Sequence, residues 1–321
     1  MLLEFSELSL AHNDSNFADR CSRVAEVLRG NIEANAWDGA WYRRAYFDDG
    51  TPLGSAGNRE CSIDSIAQSW SVLSGAGETS RAYQAMNSLD HRLIKRDAKL
   101  VQLLDPPFDP AQKQTATADA QRAQHPGYIA GYVPGVRENG GQYTHAAIWA
   151  AMAFAKLGDS ARAWEVLNMI NPVNHASSAE AVAIYKAEPY VVAADVYAVA
   201  PHTGRGGWSW YTGSAGWLYR LMLESLLGLV RAGNRLRITP CMPHAWNNYT
   251  IRYRHGATYY QINVVRTPAG QATAAVYTLD GVALDAAQNG VGVLLVDDQR
   301  AHVLHVSVAT PKALDSRAEL P

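Results

Sequence analysis

The chain has 321 residues, 48% of them hydrophobic, and its 28 basic and 30 acidic side chains give a net charge of −2. This length allows a large core in one or two domains, and the balanced charge argues against a nucleic-acid or membrane-surface partner. Three cysteines are too few and too scattered for a disulfide framework or a zinc site. The first residues, MLLEFSELSLAHNDSN, lack a basic leader, and no apolar run approaches 18 residues. We therefore expect a soluble cytoplasmic protein without a membrane segment.

The sequence predicts helices from about residue 14 to 232. Asp14 or Ser15 can cap the first helix, in which apolar residues recur at three- and four-residue steps. Similar spacing predicts five further helices, in SIDSIAQSWSVLSG, TSRAYQAMNSLDHRLI, YTHAAIWAAMAFAKLG, SARAWEVLNMI and SAGWLYRLMLESLLGLV. Helices joined by loops that alternate short and long favour part of an α/α toroid.

Short strands are predicted after Arg235. LRITP, TIRYRHG, TYYQINVVRT, ATAAVYTLDG, GVLLVDD and HVLHVSVA alternate or run apolar, and turns such as Asp280-Gly281 and Asn289-Gly290 separate several of them. The pattern predicts an antiparallel β-sandwich. The expected architecture is thus α+β and multidomain, with a helical catalytic region over residues 1–234 and a C-terminal sandwich over residues 235–321.

Three stretches combine glycine, tryptophan or tyrosine, and titratable side chains: WDGAWYRRAYFDDG, GVRENGGQYTHAA and TGRGGWSWYTGSAGW. Glycine lets a backbone approach a ligand closely, and indole or phenol rings offer flat apolar faces to sugar rings. Nine Trp and 16 Tyr against five Phe fit a wet, ring-lined cleft, although most such rings simply fill a core. TGRGGW leads into an aromatic run and not a βαβ unit, which argues against a phosphate loop. The mixture indicates a carbohydrate-active enzyme.

Asp38 is the first candidate catalytic residue, because it lies between Trp37 and Gly39 in an aromatic-rich loop. Desolvation beside an indole can raise the pKa of a carboxylic acid, and a glycosidic leaving oxygen needs a proton donor. The alternative is an Asp that only caps an Asp-Gly turn. Asp48 and Asp49, in FDDG, fit turn residues.

Anion- and sugar-binding candidates follow. Glu138, in a Gly-Gly loop, can hydrogen-bond sugar hydroxyls, and His145 lies in the first turn of a predicted helix, where an anion is favoured. Thr212-Gly213 opens the next apolar helix in the same way. A structural histidine and an ordinary Thr N-cap remain the alternatives for His145 and Thr212.

Four motifs in order, WDGAWYRRAYFDDGTPLGS, PGVRENGGQYTHAAIW, EPYVVAADVY and GRGGWSWYTGSAGWLYR, closely resemble glycoside hydrolase family 94, the inverting disaccharide and oligosaccharide phosphorylases. Within it they are most similar to the phosphorylase-like region of cyclic β-1,2-glucan synthases and to 1,2-β-oligoglucan phosphorylases. The resemblance covers about residues 15 to 310. It implies a partial (α/α)6 toroid, a glucan substrate, inorganic phosphate as co-substrate, and neither cofactor nor metal.

The resemblance also implies residue roles. Asp38 matches the family's general acid, with Trp37 beside the sugar. Glu138 matches a substrate-binding Glu. Tyr132 and Arg137 are further candidates for binding the substrate.

The phosphate site is implied in the same way, since His145 matches a phosphate-binding His, and Thr212 and Gly213 match a phosphate-binding Thr-Gly pair. The disaccharide phosphorylases carry a sugar-binding Gln in the segment that matches EPYVVAADVY, where this chain has none. That departure fits a different linkage or acceptor.

The chain matches only about the second half of the family's barrel. We therefore expect an upstream polypeptide to complete it, and little activity from the chain alone. Two other functions stay open: an inverting hydrolase with Glu138 as its base, and an inactive sugar-binding remnant.

Overall fold

The computed structural model describes residues 1–109, 125–267, 275–284 and 292–309. Helices prevail up to residue 226 and strands beyond it. The α-helices are α1 (Leu2–Ala11), α2 (Ser15–Asn35), α3 (Ser65–Leu73), α4 (Thr79–Leu93), α5 (Thr144–Lys156), α6 (Ser160–Ile170), α7 (Ala179–Tyr185) and α8 (Ser214–Arg220), which continues as a π-helical segment, Leu221–Leu226. Two 3-10 segments span Gly127–Gly131 and Pro172–Ala176.

Side-chain caps explain where three helices begin. Asp14 accepts a hydrogen bond from the Phe17 amide at the start of α2, as predicted. Asp64 does the same at α3, and Glu78 caps α4. Such caps satisfy amides that have no partner within the helix.

Helix α1 was not predicted, and it pairs with α2 through small side chains. Ser6 and Ser9 are its buried residues, facing Ala18 and Cys21 of α2. The Ser6 hydroxyl donates to the Ala18 carbonyl at 3.0 Å. The larger apolar side chains of both helices are exposed instead: Leu3, Phe5, Leu8, Leu10, Phe17, Val24, Val27 and Leu28, which we call the outer apolar face.

Helix α5 is the most deeply buried. Ile148 and five of its six alanines are at most 1% exposed, and Ala155 near its end is partly exposed, as expected for a helix that is buried around most of its circumference. Two-residue ladders tie the loops between helices: β1–β2 (Ala45–Tyr46, Pro52–Leu53), β3–β6 (Ile63–Asp64, Leu104–Asp105), β4–β5 (Ile94–Lys95, Leu100–Val101) and β7–β8 (Gln142–Tyr143, Asp195–Val196). The β7 strand runs directly into α5, and so fixes the residues where that helix begins.

The later strands form two sheets. One has the order β15-β10-β9 (Val293–Leu294, Arg235–Ile238, Leu229–Ala232), and the other β11-β12-β16-β13-β14 (Asn248–His255, Thr258–Arg266, Ala301–Val308, Val276–Leu279, Val282–Ala283). Alternate side chains of β10 and β12 are buried. They share one apolar cluster with β13, β15 and β16, which includes Leu236, Ile238, Tyr260, Ile262, Tyr277, Val293 and Leu304.

The structure differs from the predicted all-antiparallel pairing at one place, because β12 and β16 pair in parallel. The chain between them forms β13 and β14 at the far edge of the same sheet and β15 in the other sheet, so β16 returns in the direction of β12. The predicted turn at Asp280-Gly281 joins β13 to β14, with both residues at positive φ. The one at Asn289-Gly290 lies outside the described residues.

The chain divides into two compact units. The first comprises Met1–Ala153 and Glu165–Trp217, and the second comprises residues 154–164 and those from 218 onward. The domain boundary predicted after residue 234 falls in the turn of the β9–β10 hairpin. It stays a prediction. All eight predicted site residues belong to the first unit.

Candidate active site

A glycine-rich loop carries the first group of predicted site residues. Asn139 is fully buried and holds this loop, because its amide donates to the Phe108 and Tyr132 carbonyls at 2.8 Å while its carbonyl accepts from the Phe108 amide at 2.7 Å. A side chain on Gly141 would approach the Arg137 backbone to 2.8 Å. The NGG sequence is therefore the means by which this loop turns back on itself.

Arg137, at a left-handed φ of 50°, contacts two other predicted binding residues, Tyr132 and Glu138, and also Trp208, which was not predicted. Its guanidinium lies 5.3 Å from the Tyr132 ring centroid and 5.2 Å from that of Trp208. Its Nε is 3.5 Å from Oε2 of Glu138. The result is a charged pair flanked by two aromatic faces, a surface suited to sugar hydroxyls and ring carbons.

His145 is the second residue of α5, which follows the β7 strand directly. Its ring stacks on Tyr143 at 5.2 Å, and Nε2 lies 3.2 Å from where a Cβ on Gly213 would sit. Burial lowers the pKa of His145, so the imidazole is predominantly neutral at pH 7. The structure thus brings His145 and Gly213 together from positions 68 apart in the sequence.

Thr212 precedes the helical segment that starts at Ser214. Its Oγ1 accepts from the Ser214 amide at 3.1 Å and lies 2.6 Å from the Ser214 hydroxyl. Because α8 begins at Ser214, Gly213 and not Thr212 lies directly before the helix, so these contacts form a local turn and the N-cap alternative does not describe Thr212. The turn leads into α8 at Gly213, beside His145.

Asp195 was missed by the sequence analysis. It lies on β8 opposite Tyr143, is 1% exposed, and accepts a hydrogen bond from the Trp208 amide at 3.2 Å. Burial raises its pKa, the nearby Glu138 raises it further, and hydrogen bonds from the Trp208 and Arg137 amides oppose this. A lone acid inside the apolar run VVAADVY was the available signal, because unpaired acids are rarely buried without a role.

Asp38 lies in a different set of contacts, and its pKa was predicted wrongly. Its carboxylate accepts from Arg43 Nε (2.7 Å), the Ala56 amide (2.7 Å) and the Ser55 hydroxyl (3.1 Å). Burial raises the pKa of Asp38, but the Ala56, Arg43 and Ser55 hydrogen bonds and the Arg43 charge outweigh it, so the net pKa is lowered. The prediction considered the neighbouring indole and not the donors that fold onto the carboxylate.

Trp37 is half-buried beside Asp38. Its ring meets Tyr42 edge-on at 5.1 Å, and the Arg81 guanidinium lies 5.2 Å from its centroid. Asp38 finds its hydrogen-bond partners among residues 41–56, whereas His145 and Glu138 find their contacts among residues 128–213. Ring stacking joins Tyr143 to His145, which lies beside Gly213, and Glu138 interacts electrostatically with Tyr143, so these residues form one region. None of these contacts among the described residues joins Asp38 to it.

Buried polar atoms without a hydrogen-bond partner concentrate in that region. Within the described residues, five of the eight such atoms belong to Arg137, Glu138, His145, Trp149 and Asp195. Such atoms cost free energy, and folded proteins retain few of them. Their concentration marks this part of the first unit as the strongest candidate for a binding site.

Comparison with known proteins identifies the family of this chain. The model of the glycosyl hydrolase 94 superfamily catalytic domain matches residues 1–228. The chain belongs to this family. The match contains all eight predicted site residues and ends near the last helical residue.

Individual relatives refine the picture. Cyclic beta-(1,2)-glucan synthase NdvB of Rhizobium meliloti is 46% identical over 265 residues, which is 83% of this chain and 9% of that protein. The 3-O-beta-D-glucopyranosyl-beta-D-glucuronide phosphorylase of Paenibacillus borealis is 31% identical over 85% of this chain and 34% of its own length. The 1,2-beta-oligoglucan phosphorylase of Listeria innocua is 31% identical over 33% of this chain and 11% of its own. The chain therefore spans at most about a third of these relatives.

The described residues also bear on two other types of site. No helix within the described ranges is long and apolar enough to cross a bilayer. In the same residues, no group of three or more His, Cys, Asp or Glu side chains is arranged to hold a metal ion.

Proposed function

We propose that this chain supplies the acid and the phosphate site of an inverting glycoside phosphorylase that acts on β-1,2-linked glucans. The observation that carries the proposal is the approach of His145 Nε2 to Gly213, next to the Arg137–Glu138 pair. Family membership and phosphorylase relatives support the reaction type. The β-1,2 linkage is supported by the names of two relatives, the NdvB synthase and the oligoglucan phosphorylase.

In the proposed reaction, Asp38 donates a proton to the glycosidic oxygen while a phosphate oxygen attacks the anomeric carbon from the opposite face. The C–O bond to the leaving sugar breaks, and the new C–O bond forms sugar 1-phosphate with inverted configuration. An inverting hydrolase needs a second carboxylate to activate water. Phosphate is already a nucleophile, so an anion site takes the place of that base.

The proposed anion site consists of His145, Thr212 and Gly213. A neutral His145 can donate one N–H to a phosphate oxygen and accept a proton as the anion binds. The hydroxyl of Thr212 and the amides at the start of α8 offer further donors toward the positive end of that helix. Glu138 and Arg137, with Tyr132 and Trp208 beside them, would orient the sugar.

To act as the general acid, the carboxyl group of Asp38 must be protonated. The contacts of Arg43, Ser55 and Ala56 oppose this, because all three favour the charged form. Bound substrate beside Trp37 must therefore break the Arg43 contact and desolvate the carboxyl. Loss of that ion pair raises the pKa and makes Asp38 a proton donor.

The same ion pair favours a second candidate function, a sugar-binding protein without catalysis. An Asp38 held permanently by Arg43 would only shape the loop that carries Trp37. The Arg137–Glu138 region would then bind sugar, and no bond would be broken.

We further propose that additional polypeptide covers the outer apolar face and completes a toroid of the (α/α)6 type. Contiguous exposed apolar surface on a folded unit usually marks an interface. The relatives carry at least about twice as many further residues in one chain, which makes helices of the same catalytic domain the fitting occupant.

One experiment separates the functions. The chain, combined with separately produced polypeptide of the same catalytic domain that completes the proposed toroid, is incubated with β-1,2-glucooligosaccharides with and without inorganic phosphate, and glucose 1-phosphate and free glucose are measured. We expect phosphate-dependent glucose 1-phosphate, reduced about 10²–10⁴-fold by Asp38→Asn. Asp48→Asn, an exposed acid in the same loop, is the matched control and should be neutral.

The remaining outcomes count against the proposal. Glucose release without phosphate would indicate a hydrolase. Glucan binding by calorimetry with no turnover, unchanged by Asp38→Asn, would indicate a binding protein. Phosphate binding unaffected by His145→Ala would reject the anion site.

A further inference from the structure

A cavity of about 240 Å³ lies in the first unit, outside the candidate active site. The turn between β4 and β5 contributes Asp97 and Lys99, the Pro172–Ala176 segment contributes Asn174 and His175, and α7 contributes Ala181 and Tyr185. None of the eight predicted site residues lines it. It is smaller than the roughly 300–1,000 Å³ of drug-sized ligand sites, so its capacity suits one small molecule.

His175 is the distinctive residue of this cavity. It is 9% exposed, and its ring stacks on Tyr185 at 4.7 Å with an angle of 9° between the planes. The imidazole hydrogen-bonds the Met169 backbone, and Nε2 has no partner. The bond to Met169 therefore uses Nδ1, as donor to a carbonyl.

This bond fixes what His175 offers a ligand. Burial lowers the pKa of His175, so the ring is neutral at pH 7, with its proton on Nδ1 and a lone pair on Nε2. A buried acceptor of this kind is satisfied by a hydrogen-bond donor, such as a hydroxyl group.

The other residues that line the cavity do not favour a charged ligand. Lys99 and Asp97 are both exposed and of opposite sign, so the cavity has no net charge from them. An anion attracted by Lys99 would also meet the Nε2 lone pair and the Asp97 carboxylate, and among the described residues no group of three or more His, Cys, Asp or Glu side chains is arranged for a metal ion. Asn174 adds an amide, while Ala181 and the Tyr185 ring add apolar surface. Mixed donors and acceptors around an apolar wall match a neutral polyhydroxylated ring.

We propose that this cavity is a second sugar site, which binds one neutral pyranose unit with a ring hydroxyl donating to Nε2 of His175. The site is separate from the phosphorolysis proposed above and does not depend on it. The pyranose can be a free monosaccharide or the end of a glucan chain.

The test is an NMR titration of the full chain with methyl β-D-glucopyranoside and with a β-1,2-glucooligosaccharide, read at the His175 imidazole protons. His175→Phe keeps the stacked ring and assigns those signals by their loss. Ala181→Leu fills the cavity, and Ala183→Leu, exposed on the same helix and not in the lining, is its matched control. We expect His175 signals to shift with affinity in the roughly millimolar range in the wild type and in Ala183→Leu, and about tenfold more weakly in Ala181→Leu.

The wild-type titration alone can overturn the proposal, so it does not depend on the folding of any variant. His175 signals that stay fixed throughout the sugar titrations would reject it. So would a larger shift with inorganic phosphate than with the glycoside. A shift that Ala181→Leu leaves unchanged while His145→Ala abolishes it would assign the sugar to the candidate active site instead.

Discussion

Asp38 and Arg43 form the ion pair on which the catalytic proposal turns. Arg43 reaches Oδ1 of Asp38 with two nitrogens, at 2.7 Å and 2.6 Å, and the Asp38 side chain is 8% exposed. Asp38 has a lowered pKa in the folded state. Its contribution to stability is therefore present above the unfolded pKa of about 3.9 and is lost as pH falls through the folded value.

From this we predict the effect of Arg43→Gln. At pH 7 the substitution should lower the free energy of unfolding by about 1 kcal/mol, because the pair is only partly shielded from solvent. The difference from wild type should shrink below about pH 4, where the carboxylate loses its charge. Thermal melts across this range measure it, with the exposed Arg20→Gln of α2 as control. A difference that does not change with pH would show that Arg43 acts through packing and not through charge.

Gly213 is the second residue with a specific expectation, because it lies against His145. Gly213 has no positive φ, so Gly213→Ala costs little in backbone conformation, but the new Cβ lies 3.2 Å from Nε2 of His145. We expect phosphate binding, measured by calorimetry, to weaken about tenfold with little change in melting temperature.

Gly216→Ala is the matched control for this prediction. A Cβ there meets nothing within 4 Å, and alanine is the better helix former by roughly 1 kcal/mol. It should therefore bind phosphate normally and melt at the same temperature or higher. Equal phosphate affinity in both variants would remove Gly213 and His145 from the anion site.

At the scale of elements, the spacing of apolar residues predicted most helices and strands, because these depend on the local sequence. The helices predicted from residue 14 onward are present, and so are the main strands from β10 to β16. Helix α1 was missed because its contact with α2 uses Ser6 and Ser9 while its leucines face outward, the reverse of an amphipathic pattern. The sequence pattern predicts β9 as the end of the preceding helix, because LLGLV lacks a polar side chain that would mark the change.

The parallel pairing of β12 with β16 and the lowered pKa of Asp38 could not be predicted from the sequence, because both depend on contacts that form only in the folded chain. Nothing in TYYQINVVRT indicates a parallel partner strand 42 residues later, as in the pair Tyr259 and Ala301. The carboxyl of Asp195 was visible in the sequence, but its place beside Glu138 depends on the pairing of β7 with β8. Residue types left structural alternatives open for these motif residues, and the family resemblance implied their roles; in the structure, Glu138, His145 and Gly213 lie in one region.

Two glycines give a prediction at this scale, Gly228 directly before β9 and Gly233 in the turn between β9 and β10. Gly228 has a φ of 71°, and a Cβ there would overlap the Thr239–Pro240 backbone. Gly233 has a φ of 59° and open space around the same position. Gly233→Ala should cost roughly 1 kcal/mol for the left-handed backbone, and Gly228→Ala roughly 3 kcal/mol, since the backbone clash adds to the strain.

Urea unfolding followed by far-UV circular dichroism compares the two glycine variants. We expect Gly228→Ala to lower the free energy of unfolding more than Gly233→Ala does. The difference measures the close packing of Gly228 against the backbone of Thr239 and Pro240. Similar losses in the two variants would mean that φ alone decides both positions.

At the scale of the whole molecule, the outer apolar face is exposed to solvent in the structure. Phe5 and Leu8 of α1 and Val27 of α2 are each at least half exposed, and all three face away from the small-residue contact between the helices. Burial of apolar surface contributes about 25 cal/mol per Å², so leaving this face in water is costly for an isolated protein. The proposed toroid would bury it against further helices.

This leads to a prediction about the chain by itself. The isolated wild-type protein should self-associate through the outer apolar face, and Val27→Glu combined with Leu28→Lys should make it monomeric. The two side chains are 62% and 49% exposed, so their replacement should change the free energy of unfolding by no more than about 0.5 kcal/mol. Light scattering after size-exclusion chromatography measures the mass, with Val282→Glu, an exposed valine of β14, as control.

The same double variant tests what normally covers the face. If it is polypeptide of the same catalytic domain, separately produced helices of that domain should bind the wild-type chain and not the double variant, while Val282→Glu should bind as the wild type does. Binding of this kind buries the exposed residues of α1 and α2, so their amide hydrogens should exchange more slowly in the complex. A wild-type chain that is monomeric at high concentration and binds no such helices would show that the outer apolar face is tolerated in water, and that the toroid proposed for this protein is wrong.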